Sequence, residues 1–492
     1  MSAVVPGGEG ERRGLDDVIW EVHKFGGTSV ADASCFLKVA SIIKSYAGGD
    51  KKLAVVVSAM GGKPKVTDLL LESVRAAAER CDTDVEASLQ LVVEKHMGCI
   101  QQLPLSSHTQ QSLGEIVNRD IEDIRDILKT VSLMKWQASR ISELISGYGE
   151  TWSSQILTCL LNTLSPSDEE KDYFEYLDAR RFIIIDENDN NAVCWDTSLQ
   201  KLKSIINPNT KHFVITGYVA SNTDGVATTL QRDGSDFSAA ITGYLLKSSS
   251  INIWTDVDGV LSADPRRVPQ AYVLPELSFN EAMELAYFGA KVIHPKTMQP
   301  ALMANIPIYI KNTFQSHLNG SRIFTTTSTD GRDKCIVGFS SIENMALINI
   351  EGSGMVGVKG VARRLFGTLE NAGVNVVLIS QASSEHSITF ATTRIQATYA
   401  KTAIEEEFHK EIKQVRTYIH KFLTLYIQYM NKNHQNTQSV ILILFVKYII
   451  FTHSCIYVCI CVCACFNFYI WILESYIRSG ISSTLFDYSR CG

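Results

Sequence analysis

The hydrophobic and polar positions divide the chain into buried strands, amphipathic helices and an apolar tail of a different kind. Residues 53–58 (LAVVVS) form a continuous β-branched run, the pattern of a strand buried on both faces. Residues 22–30 (VHKFGGTSV) predict a strand that ends in a Gly-rich turn. Residues 36–46 show helical apolar spacing. From 66 to about 164 the pattern is mostly helical, with a loop near 103–107. Within it, Gly147-Tyr148-Gly149-Glu150 separates two helices and sets a carboxylate at a helix start. Strand-like runs at 182–186, 213–216, 251–255 and 306–311 then alternate with helical segments at 238–246 and 279–288. Such alternation predicts an α/β layered domain with a mostly parallel sheet. Ligands in these sheets lie at the carboxyl ends of the strands. The loops 24–29, 58–64, 217–224 and 256–264 all follow predicted strands.

Residues 316–334 are rich in Ser, Thr, Asp, Asn and Gly and read as a linker. Beyond them, strands at 346–351, 375–380 and 386–392 with a helix at 361–372 give a βαββ order, and a helix at 399–414 completes it. The segment 1–19 is expected to be disordered. The boundaries are thus 20–315, 316–334 and 335–414, with a tail at 415–492.

The tail changes the picture. It is rich in Tyr, Ile, Cys, His, Asn and Phe, and 448–473 is long and apolar enough to score as a membrane span. Cys459, Cys461, Cys463 and Cys465 alternate with apolar residues, which fits no zinc spacing. That alternation resembles a translated TG dinucleotide repeat, so the tail is expected to be non-native read-through. Membrane contact is then expected only if the tail is native.

With 492 residues, roughly two to four domains are expected. A net charge of −6 and no long basic stripe argue against nucleic-acid binding. The six cysteines up to Cys335 are scattered, as in a reducing compartment. The first 20 residues lack an apolar signal core, and Glu9, Glu11, Asp16 and Asp17 are unlike an organellar transit peptide.

Candidate chemistry gathers on the strand-end loops. Backbone N–H groups at Gly26 and Gly27 can cradle phosphate, and Lys24 adds a point charge. The Lys precedes the glycines, so this is not a P-loop. Arg232-Asp233-Gly234-Ser235-Asp236 opens a helix, where an anion is favoured and Arg232 can clamp a carboxylate. Ser235 or Asp236 could equally be a plain N-cap. Asp256, Asp258 and Asp264-Pro265-Arg266 suit Mg²⁺-phosphate or ribose contacts, or a solvated turn. Lys291 can reach a phosphate or cap a helix end. Ser58, Thr67 and Glu150 sit where they could orient a small polar substrate, or serve as surface caps.

Together and in order, KFGGTSV at 24–30, VSA at 57–59, GYGE at 147–150, RDGSD at 232–236, TDVDG at 255–259, DPR at 264–266 and GAKVIHP at 289–295 resemble the amino-acid kinase family. Within it they resemble aspartate kinase. The wording of 274–314 is most similar to plant bifunctional aspartokinase–homoserine dehydrogenases, and the resemblance covers about 20–410. It implies a three-layer αβα kinase fold, ATP and Mg²⁺ as cofactors, and phosphorylation of the side-chain carboxylate of L-aspartate. That would be the first step toward lysine, threonine, methionine and isoleucine. By similarity, Lys24 would stabilise the transferring phosphoryl group. Gly26, Gly27, Ser58, Thr255, Asp256, Arg266 and Lys291 would contact ATP. Thr67, Glu150, Arg232 and Ser235 would hold aspartate. The family also implies a homo-oligomer and a chloroplast location. Leu261 stands where many relatives carry Tyr, which implies a lost or replaced nucleotide contact.

Residues 352–357 (GSGMVG) match G-x-G-x-x-G. The two strands that follow are joined by a tight turn, so they should pair antiparallel, and the βαββ order resembles an ACT regulatory domain of ferredoxin-like βαββαβ type. The family then implies threonine as effector, with Gln381 as a contact. A second ACT unit and a dehydrogenase fingerprint are missing from this sequence, so homoserine dehydrogenase activity is expected to be absent. The competing expectations are an inactive amino-acid-binding fragment and a membrane-anchored form.

Overall fold

The structure is a computed structural model and describes residues 18–48, 51–134, 139–165, 173–189, 191–206, 212–231, 234–289, 293–325, 336–351, 357–381, 387–414, 424–429 and 441–446. Arg232, Lys291, most of the GSGMVG motif, the apolar span at 448–473 and its cysteine run lie outside the described residues. The chain divides into two compact units after Gly338.

The first unit opens with β1 (Ile19–Phe25), α1 (Ala33–Tyr46) and β2 (Lys51–Val57). A helical stretch follows: α2 (Val66–Glu79), α3 (Asp82–Gln102), α4 (Ser107–Met134), α5 (Ser139–Ser146) and α6 (Tyr148–Leu164). Next come β3 (Phe174–Leu177), β4 (Ile184–Asp186), β5 (Ala192–Val193), α7 (Trp195–Ile205), β6 (His212–Thr216), β7 (Val219–Asn222) and β8 (Ala227–Thr229). The unit ends with α8 (Gly234–Leu246), β9 (Ser250–Thr255), β10 (Glu276–Ser278), α9 (Phe279–Tyr287), α10 (Pro295–Met303), β11 (Ile308–Asn312) and β12 (Ser321–Phe324).

Eight strands form the central sheet in the order β10, β12, β11, β9, β1, β2, β6, β3. All neighbours are parallel except β11 and β12. After Ile19, every residue of β1 is buried, and so are the last five of β2. A strand covered on both faces must be apolar throughout, which is why these two were readable as runs. Helix α8 packs on β1, β2 and β9, while α6 packs on β2, β6 and β3. The sheet is therefore the middle of three layers. Phe25 and Trp254 stack in its interior with centroids 5.8 Å apart, and both belong to the large apolar cluster shared with α1, α2 and α6.

One strand differs from the sequence reading. The apolar run at 182–186 is not part of the central sheet. Its last three residues form β4 in a separate four-stranded sheet with β5, β7 and β8. The place beside β6 is taken by β3, FEYL, whose Glu and Tyr broke the apolar signal. An edge strand buries less, so its composition is less constrained.

Strand β13 (Ile336–Ile342) spans the division between the units. The second unit then runs β14 (Met345–Glu351), α11 (Val361–Asn371), β15 (Leu378–Gln381), β16 (Ser387–Thr393), α12 (Arg394–Glu407), α13 (His409–Gln414) and β17 (Thr424–Tyr429). Its sheet order is β15, β16, β14, β17, with every neighbour antiparallel. Strands β15 and β16 pair antiparallel, as a tight turn between them requires, so GSGMVG does not open a dinucleotide fold. Leu365, Leu369, Phe390, Ala397 and Ile404 seal the helices onto the sheet.

Strand β17 falls beyond residue 414, inside the stretch whose composition sets it apart. It pairs with all six residues from Ala346 to Glu351 and turns β14 from an edge into an interior strand. A chain ending at 414 should therefore exchange the β14 amides about 10-fold or more faster than one ending at 432. Hydrogen exchange on the two truncations checks this, and equal protection would show that β17 adds nothing to the sheet.

Candidate active site

Lys24 is the second-last residue of β1, flanked in register by Val56 of β2 and Ile253 of β9. It stands at the carboxyl edge of an interior strand, where a parallel sheet places its ligands. A short 3₁₀ turn, Gly27–Val30, follows at once. Gly26 N–H donates to the Trp254 carbonyl at 3.2 Å, and Gly61 N–H donates to the Gly27 carbonyl at 2.8 Å. The loops after β1 and β2 are thus stitched together. A Cβ at Gly27 would lie 2.9 Å from the Ala59 carbonyl oxygen, and one at Gly61 would collide with the Gly27 backbone. Only glycine permits this approach.

Lys24 Nζ lies 2.6 Å from Asp236 Oδ1 in the first turn of α8, and both side chains are largely shielded. The contact is a charge pair rather than an aligned hydrogen bond. In the sequence Asp236 reads as a possible N-cap, but α8 begins at Gly234 and the carboxylate points to Lys24 instead. No local pattern shows this role, because the pairing bridges more than two hundred positions. Ser235 sits beside it, close enough that a Cβ on Gly217 would meet its side chain at 2.8 Å.

Glu150 enters from the other side, in the first turn of α6, and is 4% exposed. Burial pushes its carboxyl up to about 8, against the lowering pull of the Ala59 N–H, its own N–H and Lys24. Its Oε2 has no hydrogen-bond partner. A buried carboxyl with a free oxygen beside a lysine is costly, and structures keep such groups chiefly for function.

Ser58, Thr255 and Asp256 stand at the ends of the same sheet's strands. Ser58 follows β2, and its N–H donates to the Phe25 carbonyl at 3.2 Å. Thr67 lies in the first turn of α2, half-buried. Thr255 ends β9, with its hydroxyl 3.1 Å from Asp256 Oδ1, and Asp256 is exposed. Arg266 lies apart from this cluster in its interactions. It is held bidentately by Asp264, which it keeps below the usual carboxylate range, and its side chain is 75% exposed. Gln381 ends β15 in the second unit and is exposed. Among the described residues no group of three or more His, Cys, Asp or Glu could cage a metal.

Three supports have no sequence signal. Thr313 bonds Ser29 through their hydroxyls at 2.7 Å, and its N–H donates to the Thr255 carbonyl at 2.9 Å. Asn312 donates to Asp258 at 2.6 Å. Lys95 on α3 donates to the carbonyls of Gly61 and Pro64, pinning the loop after β2. Each partner is distant in sequence, so no local pattern could show it.

Residues 20–312 match the amino acid kinase family. The chain belongs to that family. Residues 348–408 match an ACT domain. The chain is 38% identical over 404 residues to a chloroplastic bifunctional aspartokinase/homoserine dehydrogenase 2 of Arabidopsis thaliana, covering 81% of this chain and 43% of that protein. It is 31% identical over 380 residues to the chloroplastic aspartokinase 2 of the same plant, covering 76% and 66%. The chain thus spans less than half the length of the bifunctional relatives it matches. Among solved structures, E. coli aspartokinase III in complex with aspartate and ADP superposes with a TM-score of 0.64 at 23% identity, covering 83% of this chain and 85% of that one. A Clostridium acetobutylicum aspartate kinase also gives 0.64 at 23%, covering 84% and 87%. These two establish a shared fold.

The Glu150 environment has a pH signature. The folded chain binds this proton more tightly than the unfolded chain does, so stability falls as pH rises from about 4.5 toward 8. Every tenfold gain in proton affinity on folding corresponds to about 1.4 kcal/mol, so the penalty at pH 8 is several kcal/mol. Glu150→Gln should remove that loss. Urea unfolding from pH 5 to 8 should show wild type weakening relative to the variant, and parallel curves would refute the buried-acid assignment.

Proposed function

We propose that this chain is an aspartate kinase, transferring the terminal phosphoryl group of ATP to the side-chain carboxylate of L-aspartate. The observation that carries the reading is the buried, half-unpartnered Glu150 beside the Lys24–Asp236 pair. The identity with aspartokinases supports it. An ammonium group is the natural partner for the free Glu150 oxygen, because it supplies donors and charge together. Binding it would bring the raised Glu150 pKa back down. Thr67, Arg232 and Ser235 complete the aspartate site in this reading, with Arg232 on a carboxylate. In the same reading Gly26, Gly27, Ser58, Thr255, Asp256, Arg266 and Lys291 would contact the nucleotide.

The acceptor carboxylate is already ionised at neutral pH, so no general base is needed. Catalysis rests on positioning and on charge. Lys24, held by Asp236, meets the negative charge that builds on the phosphoryl oxygens. A Mg²⁺ ion fits these residues, since it is ordinarily held by one or two carboxylates and substrate phosphates rather than by a protein cage. Asp256 is the carboxylate placed to serve it, and the ion would neutralise phosphate charge.

The product is 4-phospho-L-aspartate, which leads toward lysine, threonine, methionine and isoleucine. The ACT unit is read as the effector site, with threonine as ligand and Gln381 as a contact. A plastid location follows the chloroplastic relatives, and a homo-oligomer is the expected assembly.

A coupled assay with aspartate, ATP and Mg²⁺ tests the reaction. Wild type should form ADP only with aspartate present, and Lys24→Ala should lower kcat about 100-fold or more. Folded wild-type protein that forms no ADP would favour an amino-acid-binding role instead. In the same assay, threonine should inhibit wild type and lose potency about 10-fold in Gln381→Ala. Inhibition unchanged by that substitution would remove Gln381 from the effector site.

A further inference from the structure

Glu150 can serve only if the first turn of α6 is held still, and the site itself supplies little to hold it. The anchor lies on the far side of the helix. Trp152, two positions on, is 1% exposed and points into the helical layer. Its indole N–H donates to Asp120 Oδ2 of α4 at 2.9 Å. Asp120 is itself 7% exposed, and its other oxygen accepts from Arg119 at 2.9 Å. The His96 ring of α3 meets Trp152 edge-on with centroids 4.9 Å apart, and Tyr148 packs on it from the preceding turn at 5.7 Å. His96 is fixed in turn by a 2.7 Å bond between Nδ1 and the Val92 carbonyl. The polar partner of this anchor, Asp120, lies on α4 and comes from the helical layer rather than from the sheet.

We propose that Asp120, acting through the Trp152 indole, is a positioning residue that sets the rotation of α6 and so the placing of Glu150 against the substrate amino group. This rests on the aspartate kinase reading above. Residues two apart on a helix point to nearly opposite sides, so locking Trp152 outward aims Glu150 inward. The leverage is large. At the roughly 5–6 Å radius of a helix with its side chains, a turn of about 10° moves a carboxylate by about 1 Å. A carboxylate displaced by about 1 Å loses the geometry of its charge-assisted hydrogen bond to the substrate ammonium, so the cost falls on aspartate binding. An indole N–H deprived of its acceptor in this dry layer must find another partner, and the helix can turn to reach one.

The test compares Asp120→Ala, Asp120→Asn and Trp152→Phe in the full chain, using steady-state kinetics and aspartate binding by calorimetry. Asp120→Ala and Trp152→Phe should each raise the aspartate KM and Kd about 10-fold, with the ATP KM and kcat within about 3-fold of wild type. Asp120→Asn keeps an acceptor oxygen for the indole and should recover most of the aspartate affinity. A merely structural role would lower the melting temperature and shift both substrates together, or neither, and either result overturns the proposal. If Asp120→Ala does not fold, Trp152→Phe decides through the same split between aspartate KM and kcat, because it keeps an aromatic ring while removing the donor and part of the indole volume. Wild-type protein that neither binds nor turns over aspartate would instead overturn the kinase reading, and this proposal with it.

Discussion

The Lys24–Asp236 pair is the contact that ties the candidate site to the framework of the first unit. It joins the carboxyl end of the central strand to the start of the helix packed across it, at 2.6 Å and largely out of water. A charged group taken out of water at a strand end needs a counter-charge to offset its lost hydration. A carboxylate at a helix N-terminus is also favoured by the helix dipole. The two requirements meet in one contact. The pair adds a polar link to the apolar packing of α8 on the sheet, and it leaves the Lys24 ammonium close to Gly26.

Much of the fold was legible because the central strands are covered on both sides. LAVVVS at 53–58 and INIWT at 251–255 could be read as strands for that reason alone. Strand β3 was not legible, because FEYL sits at the sheet edge and carries a charge. The run at 182–186 misled in the opposite direction. Its apolar residues are buried, yet against a different sheet. Local composition reports burial and says nothing of which partner provides it.

The candidate site divides along the same line. Lys24, Gly26, Gly27 and Glu150 announce themselves as short motifs. Asp236 is visible only as a helix-start residue, and its pairing with Lys24 depends on the sheet bringing two distant segments together. Thr313, Asn312 and Lys95 have no motif at all, since each works through long-range hydrogen bonds. In the second unit, the antiparallel pairing of β15 and β16 separates an ACT-type order from a dinucleotide fold. Strand β17 could not be foreseen, because its pairing satisfies backbone groups of β14 that any strand sequence could satisfy.

The close fit of Gly27 against Gly61 has a consequence for how such a scaffold can change. Each glycine occupies space that a side chain on the other loop would need. Neither loop can accept a larger residue while the other stays as it is, so the two behave as one part. New selectivity must then come from positions outside this contact, such as Thr67 at the start of α2 and Asp256 after β9. The stitched floor is held by geometry, and the chemistry above it is where divergence has room.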